Sequence, residues 1–236
     1  MAVFIHDRIL TIDGPSGTGK SSVARAVAGK LYYTYLDTGA MYRAVAHVCT
    51  QQGIAPDADT AQVEQVLEKL SIQLLPLQPG EEDVRVRING EEVGPALRTR
   101  EMGLLASQFS KLAVVRDRLT RLQQKIGKPG RVVAEGRDTG SVVFPNAAWK
   151  VYLDATPEVR AGRRAAQLRA RGEQVSDAQV LEELAERDKA DQERSLAPLT
   201  VADRAVVVDT SDKSLEEVIG IVYHYVLDVT ACPGQP

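Results

Sequence analysis

The 236-residue chain is 44% hydrophobic and 26% charged, the composition of an ordinary globular protein, which excludes a disordered or membrane-embedded one. A formal net charge of −3 excludes a global attraction to nucleic acid or anionic membrane, so any phosphate binding has to come from a local cluster of basic groups. Of the 29 basic residues 20 are arginine, the side chain whose planar fork suits bidentate phosphate binding.

From the N-terminus, Met1 leads without a signal-peptide pattern into an apolar run, Arg8 to Asp13, that reads as a buried strand. Directly after it stands Gly14-Pro15-Ser16-Gly17-Thr18-Gly19-Lys20-Ser21, a match to GxxxxGK[ST], followed by the helical pattern Val23, Ala24, Val27, Ala28, Leu31. Strand, glycine loop and helix in that order predict a phosphate-binding loop. Its glycines let backbone N–H groups converge on a β-phosphate at a positive helix end, Lys20 reaches the β- and γ-phosphates, and the Ser21 hydroxyl ligates Mg²⁺. Next, Asp37-Thr38-Gly39-Ala40-Met41-Tyr42-Arg43 follows a short strand-like run and sets a hydroxyl and an arginine at the start of another helix. Two readings fit: an anion site, or a plain helix cap with a solvated Arg43.

From about Ala61 to Arg100 the strand–helix rhythm breaks. Val84, Val86 and Ile88 alternate with Arg85 and Arg87 ahead of Asn89-Gly90, a tight-hairpin dipeptide, which predicts a small antiparallel insert. Buried-strand runs return at Arg131 to Ala134, Trp149 to Asp154 and Ala205 to Asp209, with helical patterns between several of them. The expectation is an α/β fold, a parallel sheet flanked by helices on both faces. Glu135-Gly136-Arg137-Asp138-Thr139-Gly140 leaves the carboxyl end of one such strand, where open α/β sheets bind their ligands. Arg137 can pair with a phosphate, and Asp138 can accept from the exocyclic amine of cytosine, where uracil presents an oxygen that the carboxylate repels. The competing reading is an Arg137–Asp138 ion pair.

Thr156-Pro157 marks a helix on which Arg160, Arg163 and Arg164 share one face, as a solvated basic stripe or as a phosphate site. Ser176 with Gln179, and Ser214 with Glu217, have capping-box spacing and open two more helices, the first carrying Arg187, Asp191 and Arg194 on one face. The two arginine-bearing helices joined by the loop after Arg171 read as a lid over triphosphate. Ala231 to Pro236 reads as a loose tail. Cys49 and Cys232 have neither metal-ligand spacing nor a CxxC partner, so both read as reduced and structural, and no apolar run reaches transmembrane length; the expectation is cytoplasmic.

A phosphate-binding loop by itself fits a GTPase switch, a motor, an ATPase or a small-molecule kinase, and the arginine clusters point to a second, anionic substrate. Taken together, GPSGTGKSS, DTGAMYR, EGRDTGSVVFPNA and RDKADQERSLAPL resemble the bacterial cytidylate kinase family, from about Ile9 to Val226. The resemblance implies a single P-loop kinase domain over 1–236, with a monophosphate-binding region at 37–107 that carries the insert at about 61–100, and a short lid at 160–187. It implies transfer of the γ-phosphoryl group of ATP to CMP or dCMP with Mg²⁺, by a monomer whose partners are these small nucleotides and neither nucleic acid nor membrane.

Carried over position by position, ATP would lie against Gly14, Pro15, Ser16, Gly17, Thr18, Gly19, Lys20, Ser21, Ser22 and Arg160, with Ser21 as the metal ligand. Thr38, Arg43, Arg137 and Arg194 would surround the acceptor phosphate and sugar, Ser107, Arg116 and Asp138 would read cytosine, and Arg187 and Asp191 would hold the ribose hydroxyls. Lys20, Arg137, Arg163, Arg164 and Arg194 would carry the transfer by neutralising charge. The remaining readings are the same chemistry on UMP, dTMP or shikimate and, from a different class, a nucleotide switch module. Asp138 argues against uracil and thymine, and the chain has no NKxD guanine signature.

Overall fold

The computed structural model describes residues 8–76 and 84–228. Cys232, the 231–236 tail and the 77–83 part of the expected insert lie outside the described residues. The chain divides into two compact units, one made of the chain up to Tyr35 and from Gly130 onward, the other of Leu36–Pro129.

In chain order the first unit opens with β1 (Ile9–Asp13) and α1 (Lys20–Leu31), and the chain leaves it along β2 (Thr34–Asp37). The second unit holds α2 (Thr38–Gln51), α3 (Thr60–Lys69), β3 (Ile72–Leu74), β4 (Val86–Ile88), β5 (Glu91–Val93), a 3₁₀ turn at Pro95–Arg98, α4 (Arg100–Phe109) and α5 (Ala113–Gly127). The first unit then resumes with β6 (Val132–Gly136), a π-helical turn at Thr139–Val143, β7 (Trp149–Asp154), α6 (Pro157–Ala170), α7 (Asp177–Glu193), β8 (Val206–Asp209) and α8 (Leu215–Leu227).

The principal sheet has the order β2–β6–β1–β7–β8. β1 runs parallel to β6, with Ile9 opposite Val132 and Asp13 opposite Gly136, and parallel to β7, with Leu10 opposite Trp149. β7 in turn pairs in parallel with β8, Val151 facing Val206. Strands of this kind read as continuous apolar runs because crossover helices cover them. Leu10, Ile12, Val133, Val151 and Leu153 form one buried cluster with Val23, Ala24 and Val27 of α1 and Val218, Val222 and Val226 of α8. α6 and α7 pack on each other through Ala161, Ala165, Leu168, Val180 and Leu184.

The helix starts follow local chemistry. Ser176 and Ser214 each form a capping box, accepting from the N–H three residues on, while the Gln179 and Glu217 side chains accept the serine's own N–H. Thr156 accepts from Val159 N ahead of Pro157 at the first helical position. None of the described helices is long and apolar enough to cross a membrane.

In the second unit β3–β4–β5 is an antiparallel sheet, and the Asn89-Gly90 turn has φ of 51° and 92°. Two successive positive φ values define the hairpin turn whose twist matches the strands it joins, which is the reason for that dipeptide. The region of the expected insert also holds a helix, α3, ahead of the antiparallel strands. Asp59 caps that helix by accepting from Ala61 N, and Val63, Val66 and Leu67 lie buried along one side. Cys49 is buried in α2, where burial pushes its thiol up to about 11, as expected of a structural cysteine.

What positions the first unit's functional end is a carboxylate. Asp13, the last residue of β1, accepts from Thr139 N (2.9 Å), Thr139 Oγ1 (2.7 Å) and Gly140 N (2.7 Å), and so pins the π-helical turn after β6 to the end of the central strand. The turn approaches so closely that a Cβ on Gly140 would lie 2.7 Å from Thr11 Oγ1 and 3.3 Å from Asp13 Oδ2. Gly140→Ala is therefore expected to destabilise the fold by about 1–3 kcal/mol, the usual cost of overpacking a tight contact. Thermal unfolding of the variant checks this, and an unchanged Tm would mean that the turn is not held as tightly as the hydrogen bonds indicate.

Candidate active site

The loop between β1 and α1 encloses Lys20, which is buried and donates from Nζ to Pro15 O (2.5 Å) and Thr18 Oγ1 (3.4 Å). Thr18 Oγ1 itself donates to Pro15 O at 3.1 Å. Burial first, and then the nearby Arg137, push the Lys20 ammonium down to about 7. Ser21, the next residue, donates to Glu135 Oε1 at 2.7 Å, and Tyr35 OH donates to the same oxygen at 3.0 Å. Asp13 lies buried below, pushed up to about 6 by burial against the pull of its three hydrogen bonds.

Around this loop the arginines are distributed by carboxylates of α7. Arg137 donates from Nε to Asp191 (2.8 Å) and from Nη1 to the Gly14 carbonyl (2.7 Å). Arg194, just past the end of α7, lies 3.6 Å from Asp191 and 3.7 Å from Asp138, and donates from Nε to Ala197 O. Burial works against ionisation of Asp191, but Arg137, Arg187 and Arg194 hold its carboxyl below the usual carboxylate range. The structure thus brings together Lys20, Arg137, Asp138, Arg187, Asp191 and Arg194 in one unit. Arg137 takes its partner from α7 rather than from Asp138, so the ion pair weighed between adjacent residues is replaced by one across 54 positions.

The α6 arginines do not form the single stripe that their spacing suggested. Arg160 is buried, donating to Ala155 O (3.1 Å), Ser16 O (3.2 Å) and the Asp188 carboxylate. Arg163 donates to Thr210 Oγ1 (2.9 Å) and Thr210 O (2.6 Å) at the carboxyl end of β8, and Arg164 to Gln167 on its own helix. Three neighbours on one face find three separate partners, because a long guanidinium reaches well beyond the helix surface that a wheel describes.

In the second unit the start of α2 is built around Asp37. Its Oδ1 accepts from Ala40 N (2.8 Å) as the helix cap, and its Oδ2 pairs with Arg98 at 3.1 Å. Although burial opposes it, Arg98 and Arg43 hold the Asp37 carboxyl below its ordinary value. Thr38 is buried at this helix start, and the Arg43 guanidinium lies against Gly39, 3.8 Å from where a Cβ would sit. Arg116 stacks over the Tyr42 ring at 5.6 Å and donates to Ser110 O (3.1 Å), while Ser110 Oγ donates to Ser107 O (2.7 Å). Thr38 and Arg43 thus stand on the first turns of α2, Arg116 reaches Tyr42 of the same helix, and Ser107 takes part through its carbonyl.

Sequence reasoning gave no role to Asp13, Tyr35, Arg98, Glu135, Asp188 or Thr210. For Asp13 and Glu135 a signal was present: Asp13 ends β1 and Glu135 is the last residue but one of β6, at the carboxyl edge where parallel sheets bind ligands. The other four carry no local mark.

A family model described as cytidylate kinase matches residues 10–228. The cytidylate kinase of Thermosipho africanus strain TCF52B is 42% identical over 219 residues, covering 93% of this chain and 94% of that protein. That of Carboxydothermus hydrogenoformans is 43% identical over 210 residues, covering 89% and 93%. A bifunctional pantoate ligase/cytidylate kinase of Synechococcus sp. strain WH7803 is 47% identical over 220 residues, and the chain spans 44% of that longer protein. Among solved structures, an uncharacterized protein from Eubacterium ventriosum shares the fold at a TM-score of 0.53 and 9% identity, over 94% of this chain and 99% of that one.

The depressed Lys20 has a consequence for ligand binding. A polyphosphate beside it restores the ordinary ammonium value, so the bound state carries more protons than the free one and binding weakens as pH rises past about 7. Calorimetric titration of a nucleoside triphosphate in two buffers of different ionisation enthalpy should show proton uptake above that pH. Equal heats in the two buffers would place the proton change elsewhere.

Proposed function

The chain belongs to the cytidylate kinase family, and on that premise we propose how its own residues carry the reaction of a nucleoside monophosphate kinase, transfer of the γ-phosphoryl group of ATP to CMP or dCMP. The observation that carries the reading is the geometry of the loop after β1, which buries Lys20 at the start of α1, sets Ser21 on Glu135 and takes Arg137 onto its Gly14 carbonyl. A site of that kind is prepared for several phosphate charges, not for a neutral ligand.

In the proposed mechanism the triphosphate lies against Gly14 to Ser22, its β-phosphate over the N-terminus of α1. Lys20 turns from the Pro15 carbonyl to the β- and γ-phosphates. Ser21 Oγ, held by Glu135, is a hard oxygen donor beside a carboxylate, which suits Mg²⁺. When bound, that ion neutralises phosphate charge. An oxygen of the CMP phosphate attacks the γ-phosphorus, the bond from γ-phosphorus to the bridging oxygen breaks, and the electron pair stays on the β-phosphate of ADP. No protein base is needed, since a phosphate monoester with a second pKa of about 6 is mostly a dianion at neutral pH. The protein's part is alignment and charge.

Acceptor recognition is assigned to Thr38, Arg43, Arg137 and Arg194 for phosphate and sugar, Ser107, Arg116 and Asp138 for cytosine, and Arg187 and Asp191 for the ribose hydroxyls. Arg164, half-buried on α6, is assigned to the moving phosphoryl group as part of the 160–187 lid. Arg163 is assigned there through a change of partner from Thr210. We place the enzyme in the cytoplasm as a monomer acting on free nucleotides. Acceptors such as UMP, dTMP or shikimate fit less well, since Asp138 offers only an acceptor where uracil and thymine also present one.

Measured ADP release across a panel of monophosphates tests the reading as a whole, CMP and dCMP being the expected acceptors. Asp138→Asn is expected to shift the CMP-to-UMP ratio of kcat/KM toward UMP by roughly ten- to a hundredfold, because the amide can donate to O4. An unchanged ratio would leave Asp138 as a support for Arg194 alone. Arg187→Ala is expected to lower kcat/KM for CMP more than for dCMP, by about 1.5–3 kcal/mol for the lost charge-assisted hydrogen bond to the 2′-hydroxyl. Equal losses on both acceptors would remove Arg187 from the sugar site.

A further inference from the structure

Asp188 stands three residues before Asp191 on α7, buried, and outside every role so far assigned. Its Oδ2 accepts from Nη1 of Arg160, and its Oδ1 accepts from no side-chain or backbone group among the described residues. The same Arg160 Nη1 donates its other hydrogen to the Ser16 carbonyl at 3.2 Å, and Nε donates to Ala155 O at 3.1 Å. Arg160 is thus fixed at both ends of its guanidinium, with Asp188 the one anion among its recorded partners.

The carbonyl it holds is a particular one. A trans peptide carries C=O and N–H on opposite edges of one plane, and the described chain has no cis bond, so fixing Ser16 O toward Arg160 turns the Gly17 N–H the other way. Gly17 follows with φ of 83° and packs so tightly on the start of α6 that a Cβ there would lie 2.7 Å from Arg160 O. The neighbouring Pro15 carbonyl has different partners, Lys20 and Thr18. Successive peptides whose carbonyls are held by the protein can present their N–H groups to an anion, as phosphate-binding loops do. By contrast, the Gly14 carbonyl that Arg137 holds belongs to a peptide with no N–H to present, because Pro15 follows.

We propose that Asp188 is a positioning residue for the donor site: through Arg160 it holds the Ser16–Gly17 peptide with its N–H directed at the ATP phosphates. It makes no contact with substrate itself. α7 then serves both nucleotides with two carboxylates one turn apart, Asp191 toward the arginines assigned to the acceptor and Asp188 toward the donor loop. The inference rests on the phosphate-binding reading of this loop and not on which monophosphate is the acceptor.

The test is calorimetric titration of the whole protein with the β,γ-imido analogue of ATP and, separately, with CMP, alongside Tm. Asp188→Asn keeps the shape and removes the charge that fixes Arg160. It is expected to raise the Kd for the analogue roughly tenfold and the Kd for CMP by less than about threefold. A second variant, Asp188→Leu with Arg160→Met, replaces the buried pair by apolar groups, a change that commonly leaves such sites stable. It is expected to fold and to show the same selective loss. Unchanged affinity for the analogue in a folded variant, or a parallel rise in both Kd values, would overturn the proposal. So would failure of both variants to fold, since the pair would then be a requirement of the fold. If the natural protein binds the analogue but does not phosphorylate CMP, the acceptor reading fails alone.

Discussion

A cluster of guanidinium groups and a lysine, buried where parallel strands end, has to be held in place before any anion arrives. Like charges at these distances repel, and burial removes the water that would otherwise screen them. The fold answers with two carboxylates of one helix and two carbonyls of one loop. Asp191 takes Arg137 and lies near Arg194, and Asp188 takes Arg160. The second donors of Arg137 and Arg160 go to the Gly14 and Ser16 carbonyls. The same bonds that keep the charge in order therefore shape the loop, and α7 is tied to the phosphate-binding segment before a nucleotide is present. Lys20 donates to the Pro15 carbonyl, and burial, then Arg137, push its ammonium down.

The second unit solves a smaller version of the problem in its own way. Asp37 is at once the cap of α2 and the partner of Arg98, and Arg98 also donates to Val84 O at 3.2 Å. One carboxylate therefore connects a helix start, the 3₁₀ turn and the approach to β4. Arg116 is steadied by the face of Tyr42 and by a backbone carbonyl, which orient the planar group.

Much of this was legible along the chain because the deciding chemistry is local. Gly14 to Ser21 sits between an apolar run and a helical pattern, Ser176 and Ser214 have their capping partners three residues on, and Asn89-Gly90 makes a turn that few other dipeptides make. What stayed hidden is what depends on distant parts of the chain. Ser21 meets Glu135 across 114 residues, and Asp13 meets Thr139 across 126. A helical wheel places Arg160, Arg163 and Arg164 on one side of α6 correctly, yet says nothing of the Ser16 carbonyl, Asp188 or Thr210 that draw two of them apart. The helix at the start of the insert is less conspicuous in the sequence than its hairpin: Val63, Val66 and Leu67 have helical spacing, but the alternation at Val84 to Ile88 is the stronger pattern.

The order of the segments also bears on how the protein is made. β1 is the first described strand to leave the ribosome, but both strands that flank it, β6 and β7, follow Leu36–Pro129 in the chain. During synthesis the glycine loop and its lysine must therefore wait, unpaired at the strand before them, while the intervening unit has all its residues and is free to collapse first. Long-range parallel pairing is slow because chain entropy is lost before contacts compensate. The phosphate-binding segment is thus translated before both strands that flank β1, and a nascent chain stalled before Trp149 holds the whole motif without β7 beside it.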